Sequence, residues 1–156
     1  MTVRKFRPPN RLRAMIKDRG GLLAKDAIAA AEAGVESLRE ASMAALDDAL
    51  AEIERRFGKD AAARQEEPYE ELYLLGSRII DVSAFVSDVG IDKAAVSLCT
   101  LVDSCEGAGH WRWDAVDVHI NALRLLRAAG AELPADQRDA MLQGLYQVSN
   151  YRPDEA

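Results

Sequence analysis

The chain has no stretch approaching the ~18 consecutive apolar residues of a membrane-spanning helix. Its N-terminus is positively charged but lacks the apolar segment and small-residue cleavage site of a secretory leader. A cytoplasmic protein with no membrane span is therefore expected. Cysteine is scarce. Cys99 and Cys105 stand six apart, which fits neither a CxxC redox pair nor a zinc knuckle, and two thiols are too few for a disulfide scaffold. Both are expected to be reduced residues of one helix. The only two histidines, His110 and His119, lie nine apart with no second cysteine pair, so no metal site and no cofactor are expected. Aromatic residues make up only 6% of the chain while alanine and leucine abound, a mixture that favours helices over sheets. No strand-like alternation and no internal repeat compete with that reading.

What is present is the composition of a single domain with a core: 156 residues, 49% apolar and 29% charged. The net charge of -6 conceals a marked asymmetry. Arg4, Lys5, Arg7, Arg11, Arg13, Lys17 and Arg19 face only Asp18 in the first 20 residues, so a basic arm precedes an acidic body. Pro8 and Pro9 lack amide hydrogens and bias the preceding residue toward extended geometry, so residues 1–10 are not expected to be helical. Gly20 and Gly21 mark the hinge that closes a basic arm of residues 1–24. Seven basic residues interleaved with little aromatic surface suit either a tail that packs on an acidic body or partner or an arm that binds anionic lipid or nucleic acid; the acidic remainder argues against nucleic acid as the main ligand.

The body, residues 25–150, reads as a series of helices. Asp26 can cap a first helix in which Ile28, Val35, Leu38, Leu46, Leu50, Ile53 and Phe57 recur at helical spacing, and Gly58 is a natural stop. At 1.5 Å per residue this helix is roughly 48 Å long, so one end is expected to project or to bend at Gly34, with reach enough to contact a second subunit. Residues 59–67 read as a polar, alanine-rich connection. Pro68 opens a second helix with Leu72, Leu75, Ile79, Val82, Val86 and Val89 as its buried stripe, closed by Gly90. Ile91, Ala95, Leu98, Val102 and Cys105 form a matching stripe on a third helix, and the short connection predicts an antiparallel hairpin. Trp113, Val116, Ile120, Leu123 and Arg127 trace a fourth helix ending near Gly130, and Pro134 and Asp136 start a fifth with Met141, Leu142, Leu145 and Val148. Residues 151–156 are expected to fray. The expected fold is all-α: an up-and-down four-helix bundle with an extra C-terminal helix and an extended basic N-terminal arm.

On the second helix Ser77 lies about 200° from Leu75 and from Ile79, which predicts an outward-facing hydroxyl. Tyr73, Ile80, Asp81 and Ala84 share that face and predict a partner-docking surface around it.

The order Leu72-Tyr73-Leu74, then Ser77, Ile79, Ile80 and Asp81, then Ser97-Leu98-Cys99-Thr100-Leu101 resembles histidine-containing phosphotransfer (Hpt) domains, and most of all the small bacterial Hpt-like proteins of the CheE chemotaxis family. The stretches Phe6-Arg7, Pro9-Asn10 and Leu12-Arg13 in the arm, with Val118-His119-Ile120 and Ala122-Leu123-Arg124 on the fourth helix, extend the likeness over most of the chain. In the family's pattern a histidine occupies the slot of Ser77, a lysine that of Ile80 and a glycine that of Asp81. The resemblance implies an Hpt-like scaffold in two-component or chemotaxis signalling, with a receiver domain of a response regulator or a histidine kinase as partner. All three departures weigh against relay chemistry: an alcohol replaces the imidazole nucleophile, and Asp81 repels an incoming phosphate. The expectation is thus a pseudo-phosphotransfer binding protein, not an enzyme, with Ser77 at the phosphoacceptor-equivalent position.

Two rivals stay open. His119 flanks the core stripe of the fourth helix, where a hydrogen-bonded structural histidine is the plainer reading and an alternative phosphoacceptor the sharper one. A structural homodimer through the first helix is the other. His110 beside Trp111 and Trp113 reads as a loop packing cluster. Ser77, His119 and Asp81 have the residue types of a hydrolase triad, but nothing supplies an oxyanion hole or a glycine-flanked elbow.

Overall fold

A computed structural model describes residues 23–65, 68–84 and 89–151. The expectations for the arm up to Leu22, for Val86 and for residues 152–156 lie outside the described residues. The described residues form five α-helices: α1 (Ala24–Phe57), α2 (Tyr69–Ser83), α3 (Ile91–Ala108), α4 (Trp113–Ala129) and α5 (Ala135–Asn150). A short 3-10 turn, Ala62–Gln65, interrupts the connection that the sequence presents as plain loop. No strand occurs among the described residues. The chain divides into two units, Met1–Ser37 and Leu38–Ala156, and the bundle is the second of these.

In the bundle, Leu46, Ala49, Leu50, Ile53 and Phe57 of α1 close on Leu72 and Ile79 of α2, Leu98, Leu101 and Val102 of α3, and Val116, Leu123 and Leu126 of α4. α3 is in contact with α2, α4 and α5, and it buries nine of its residues, the most of any helix. Polar pairs fix the directions. Arg127 binds Asp47 through two bonds of 2.7 and 2.8 Å while Arg124 reaches Glu54 at 2.8 Å, so α4 runs antiparallel to α1. Arg56 pairs with Glu71 where α1 gives way to α2. Tyr69 donates to Asp103 at 2.9 Å and the Cys99 thiol approaches the Tyr73 carbonyl, so α2 and α3 form the antiparallel hairpin that the short connection predicts.

The turn after α1 is held by Arg64. Its Nε donates to the Phe57 carbonyl at 2.9 Å, its guanidinium forks onto the Asp117 carboxylate of α4, and it lies 5.1 Å above the Trp113 ring. A planar fork satisfied on three sides is a firmer staple than a single exposed ion pair. At the other end of the hairpin Gly90 has φ 83°, a left-handed conformation, and a Cβ there would stand 2.6 Å from Leu142 of α5. A glycine satisfies both demands at once.

The helix limits follow the sequence except in α2. The predicted stripe continues to Val89, but α2 stops at Ser83, whose hydroxyl donates to the Ile80 carbonyl at 2.8 Å. Val89 is buried outside any helix, against the position of Gly130. In the first half of α1, Ile28, Val35 and Leu38 carry the spacing of a core stripe yet are exposed by 59, 62 and 54%.

Candidate docking face on α2

The inner face of α2 is Leu72, Gly76, Ile79 and Ser83, with Leu75 and Val82 only half-buried. That face is turned by about 60° from the stripe that hydrophobicity alone selects, toward the side that carries Ser77. The cause is Gly76. A Cβ at this position would lie 2.7 Å from the Cys99 sulfur, so the missing side chain lets α3 sit directly against the α2 backbone. A glycine has no hydrophobicity to reveal such a contact in sequence.

The rotation changes the surroundings of every predicted site residue. Ser77 is half-buried rather than outward-facing, and its hydroxyl neighbours the Cys99 thiol. Burial pushes that thiol above its ordinary range; the hydrogen bond with Ser77 opposes the shift and the Asp103 charge adds to it. Cys99 is accordingly a protonated packing residue, and both cysteines are free and buried. Tyr73 and Ile80 are half-buried against the core, with Tyr73 5.7 Å from the Tyr69 ring. Of the predicted set only Asp81 and Ala84 are exposed.

Helical geometry places Glu70, Leu74, Arg78 and Asp81 on the outermost side of α2, and all four are exposed. Leu74 is 66% exposed and stands at the middle of that side, an apolar centre among charges. The sequence reading takes Leu74 as part of a motif and leaves it out of the docking set; its position about 200° from Leu72 is the signal that identifies it. The hydrogen bond of Tyr69 to Asp103 holds the phenol proton and raises its pKa, and it borders the same surface on the α3 side.

Neither histidine of the chain is on this face. His119 is fully buried in α4. Its Nδ1 lies 2.8 Å from the Ala115 carbonyl, which can only accept, so Nδ1 carries the proton and Nε2 accepts from the Ser97 hydroxyl at 2.9 Å. Ser97 also lies 3.1 Å from Ser149, whose single hydroxyl proton is within reach of Ser97 or of the Tyr146 carbonyl at 3.0 Å, so the cluster brings α3, α4 and α5 together. Burial lowers the His119 pKa and the positive charge of Arg112 lowers it further, against the Ala115 hydrogen bond. A neutral, enclosed imidazole with both nitrogens engaged offers no line of approach to an aspartyl phosphate. The hydrolase grouping is also dispersed, since the hydroxyl on His119 is that of Ser97, not Ser77.

His110 is exposed in the α3–α4 connection, where Trp111 and Trp113 stack at 5.3 Å. Beside them an open cleft of about 420 Å³ is lined by His110, Trp111, Arg112, Val148 and Tyr151. Arg112 spends its donors within the protein, on the carbonyls of Val148, Tyr151 and Ser149 at 3.1, 3.0 and 3.4 Å. Among the described residues no group of three histidine, cysteine or carboxylate side chains is placed to hold a metal ion, and no helix is long and apolar enough to cross a membrane. No family model, no curated protein and no solved structure matches this chain.

Proposed function

We propose that this chain is a pseudo-phosphotransfer docking protein of Hpt-like design that binds a receiver domain or a histidine kinase in bacterial two-component or chemotaxis signalling and takes no phosphate itself. The observation that carries the reading is the outward side of α2. An exposed Leu74 is flanked by Glu70, Arg78 and Asp81, with Ala84 beyond and a hydroxyl, Ser77, at its edge. An apolar anchor within a charged rim suits a transient protein contact. The nearest nucleophile is an alcohol without a base, and Asp81 sets negative charge where a phosphoryl group would arrive. The likeness of the α2 and α3 segments to the Hpt pattern supplies the class of partner, and the antiparallel α2–α3 hairpin is compatible with it.

Half-burial of Ser77 shifts the weight of the docking set. Leu74, Asp81 and Ala84 are the contacting residues, whereas Tyr73 and Ile80 set the position of α2 on the core. Titration of the chain with the receiver domains of its own organism tests this. Saturable binding that weakens about tenfold in Leu74→Glu, with an unchanged circular dichroism spectrum, supports the docking face. Absence of binding to every receiver and kinase refutes it.

A further inference from the structure

We propose that α5 is an acid-released cover, which undocks from α3 and α4 when His119 takes up a proton while the first four helices stay packed. α4 buries two stripes. Val116, Ile120 and Leu123 follow one helical spacing, and Ala115, His119, Ala122 and Leu126 follow a second. α5 lies over the second: Ser149 meets Ser97 beside the His119 ring, and Arg112 holds carbonyls of the last turn of α5. The anchoring is thin. Leu145 and Ser149 are the buried residues of α5, one of them a serine, and Met141, Leu142 and Val148 are half-buried. The pairs that tie α1 to α4 and α2 to α3, such as Arg127 with Asp47 and Tyr69 with Asp103, do not involve α5. Opening an element held in this way costs less than unfolding the whole domain.

The group beneath the cover is ionisable and has no exposed surface. Ser97 can turn its oxygen toward a protonated ring, so hydrogen bonding alone does not forbid the cation. Solvation does: the charge would be enclosed away from water and near the Arg112 guanidinium. Among the described residues no carboxylate is turned toward it to compensate. On α3, Asp103 accepts from Tyr69 while Asp92 and Lys93 are exposed. On α4, Asp117 pairs with Arg64 and Asp114 is exposed at the cleft; on α1, Asp47 and Glu54 are taken by Arg127 and Arg124. On α5, Arg138 reaches the Gly130 carbonyl at the far end, and Asp136 and Asp139 are exposed. His110 borders the same cleft, exposed to solvent.

Undocking α5 admits water to the imidazole, so a proton binds the open form more tightly than the closed one and shifts the population toward it. His119 titrates below its ordinary value of 6.5 when covered and near it when uncovered. Opening therefore grows as pH falls below that value, by at most about tenfold per pH unit. The cover is a different helix from the proposed docking face, so its failure would leave the function reading intact.

Amide hydrogen exchange of the full chain, resolved by residue and corrected for intrinsic rates, tests the proposal. At neutral pH residues 138–150 should exchange faster than the buried part of α3, through an opening that leaves α1 to α4 protected. Lowering the pH to about 5.5 should raise that opening severalfold, with about tenfold as the ceiling. His119→Gln should remove the rise, and His110→Gln should keep it. Should His119→Gln fail to fold, the wild-type chain decides: the midpoint of the α5 response should coincide with the titration of the His119 ring NMR signals. Protection in α5 equal to that in α3, an opening indifferent to pH, a rise that persists in folded His119→Gln, or a midpoint that follows His110 would overturn the proposal.

Discussion

Gly76 of α2 and Cys99 of α3 are in such close apposition that a single added methyl at position 76 would stand 2.7 Å from the thiol sulfur. This contact sets the rotation of α2, and through it the side on which Leu74 and Asp81 reach solvent.

Substitution at this contact should change sign with its partner. Gly76→Ala gains about 1 kcal/mol of helix propensity but overpacks the interface at a cost of about 1–3 kcal/mol, so the single variant should be destabilised. In a Cys99→Ala background the obstruction is gone, and the same change should be neutral or stabilising. Urea unfolding of the four proteins in the cycle measures the coupling; additive effects would show that the two residues do not meet.

Acid should weaken the fold through His119. Its folded pKa lies below the unfolded value near 6.5, so the unfolded chain binds more protons as pH falls. The contribution is fully present above that value and is lost as pH drops through the window below it, by at most about 1.4 kcal/mol per pH unit. The pH slope of unfolding free energy between neutral and mildly acidic buffer should flatten in His119→Gln. An equal slope in both proteins would contradict the burial argument.

Arg112 joins α4 to the last turn of α5 through three backbone carbonyls, and its charge also bears on His119. Arg112→Ala should leave those acceptors to solvent and cost about 1–3 kcal/mol. Hydrogen exchange should rise in residues 146–151 more than elsewhere. In the same variant the His119 imidazole should titrate at higher pH, as read by its ring NMR signals, because a repelling cation has gone.

The limits of α1, α3, α4 and α5 are legible in the sequence to within a few residues because their apolar spacing is regular and their ends are punctuated by Gly58, Gly90, Gly130 and Pro134. The rotation of α2 is not legible there, because a buried glycine and a buried serine, Gly76 and Ser83, carry no hydrophobic signal. They outweigh Leu75 and Val82, which do. The sequence leaves open what Ile28, Val35 and Leu38 face, because periodicity reports that a face is apolar without reporting what covers it. The engagement of His119 with Ser97 and Ser149 joins residues 22 and 30 positions away from it in sequence, and no local pattern foretells it.

Docking without phosphate acceptance is tested most directly by a relay competition assay. A phosphorylated receiver domain is mixed with a histidine-bearing phosphotransfer protein while this chain is titrated in, and the label on each protein is followed on a phosphate-affinity gel. Transfer should slow as the chain is added, the chain should remain unlabelled, and Leu74→Glu should abolish the effect. Acid-labile label on this chain that disappears in His119→Gln, or a transfer rate indifferent to a large excess of the chain, would contradict it.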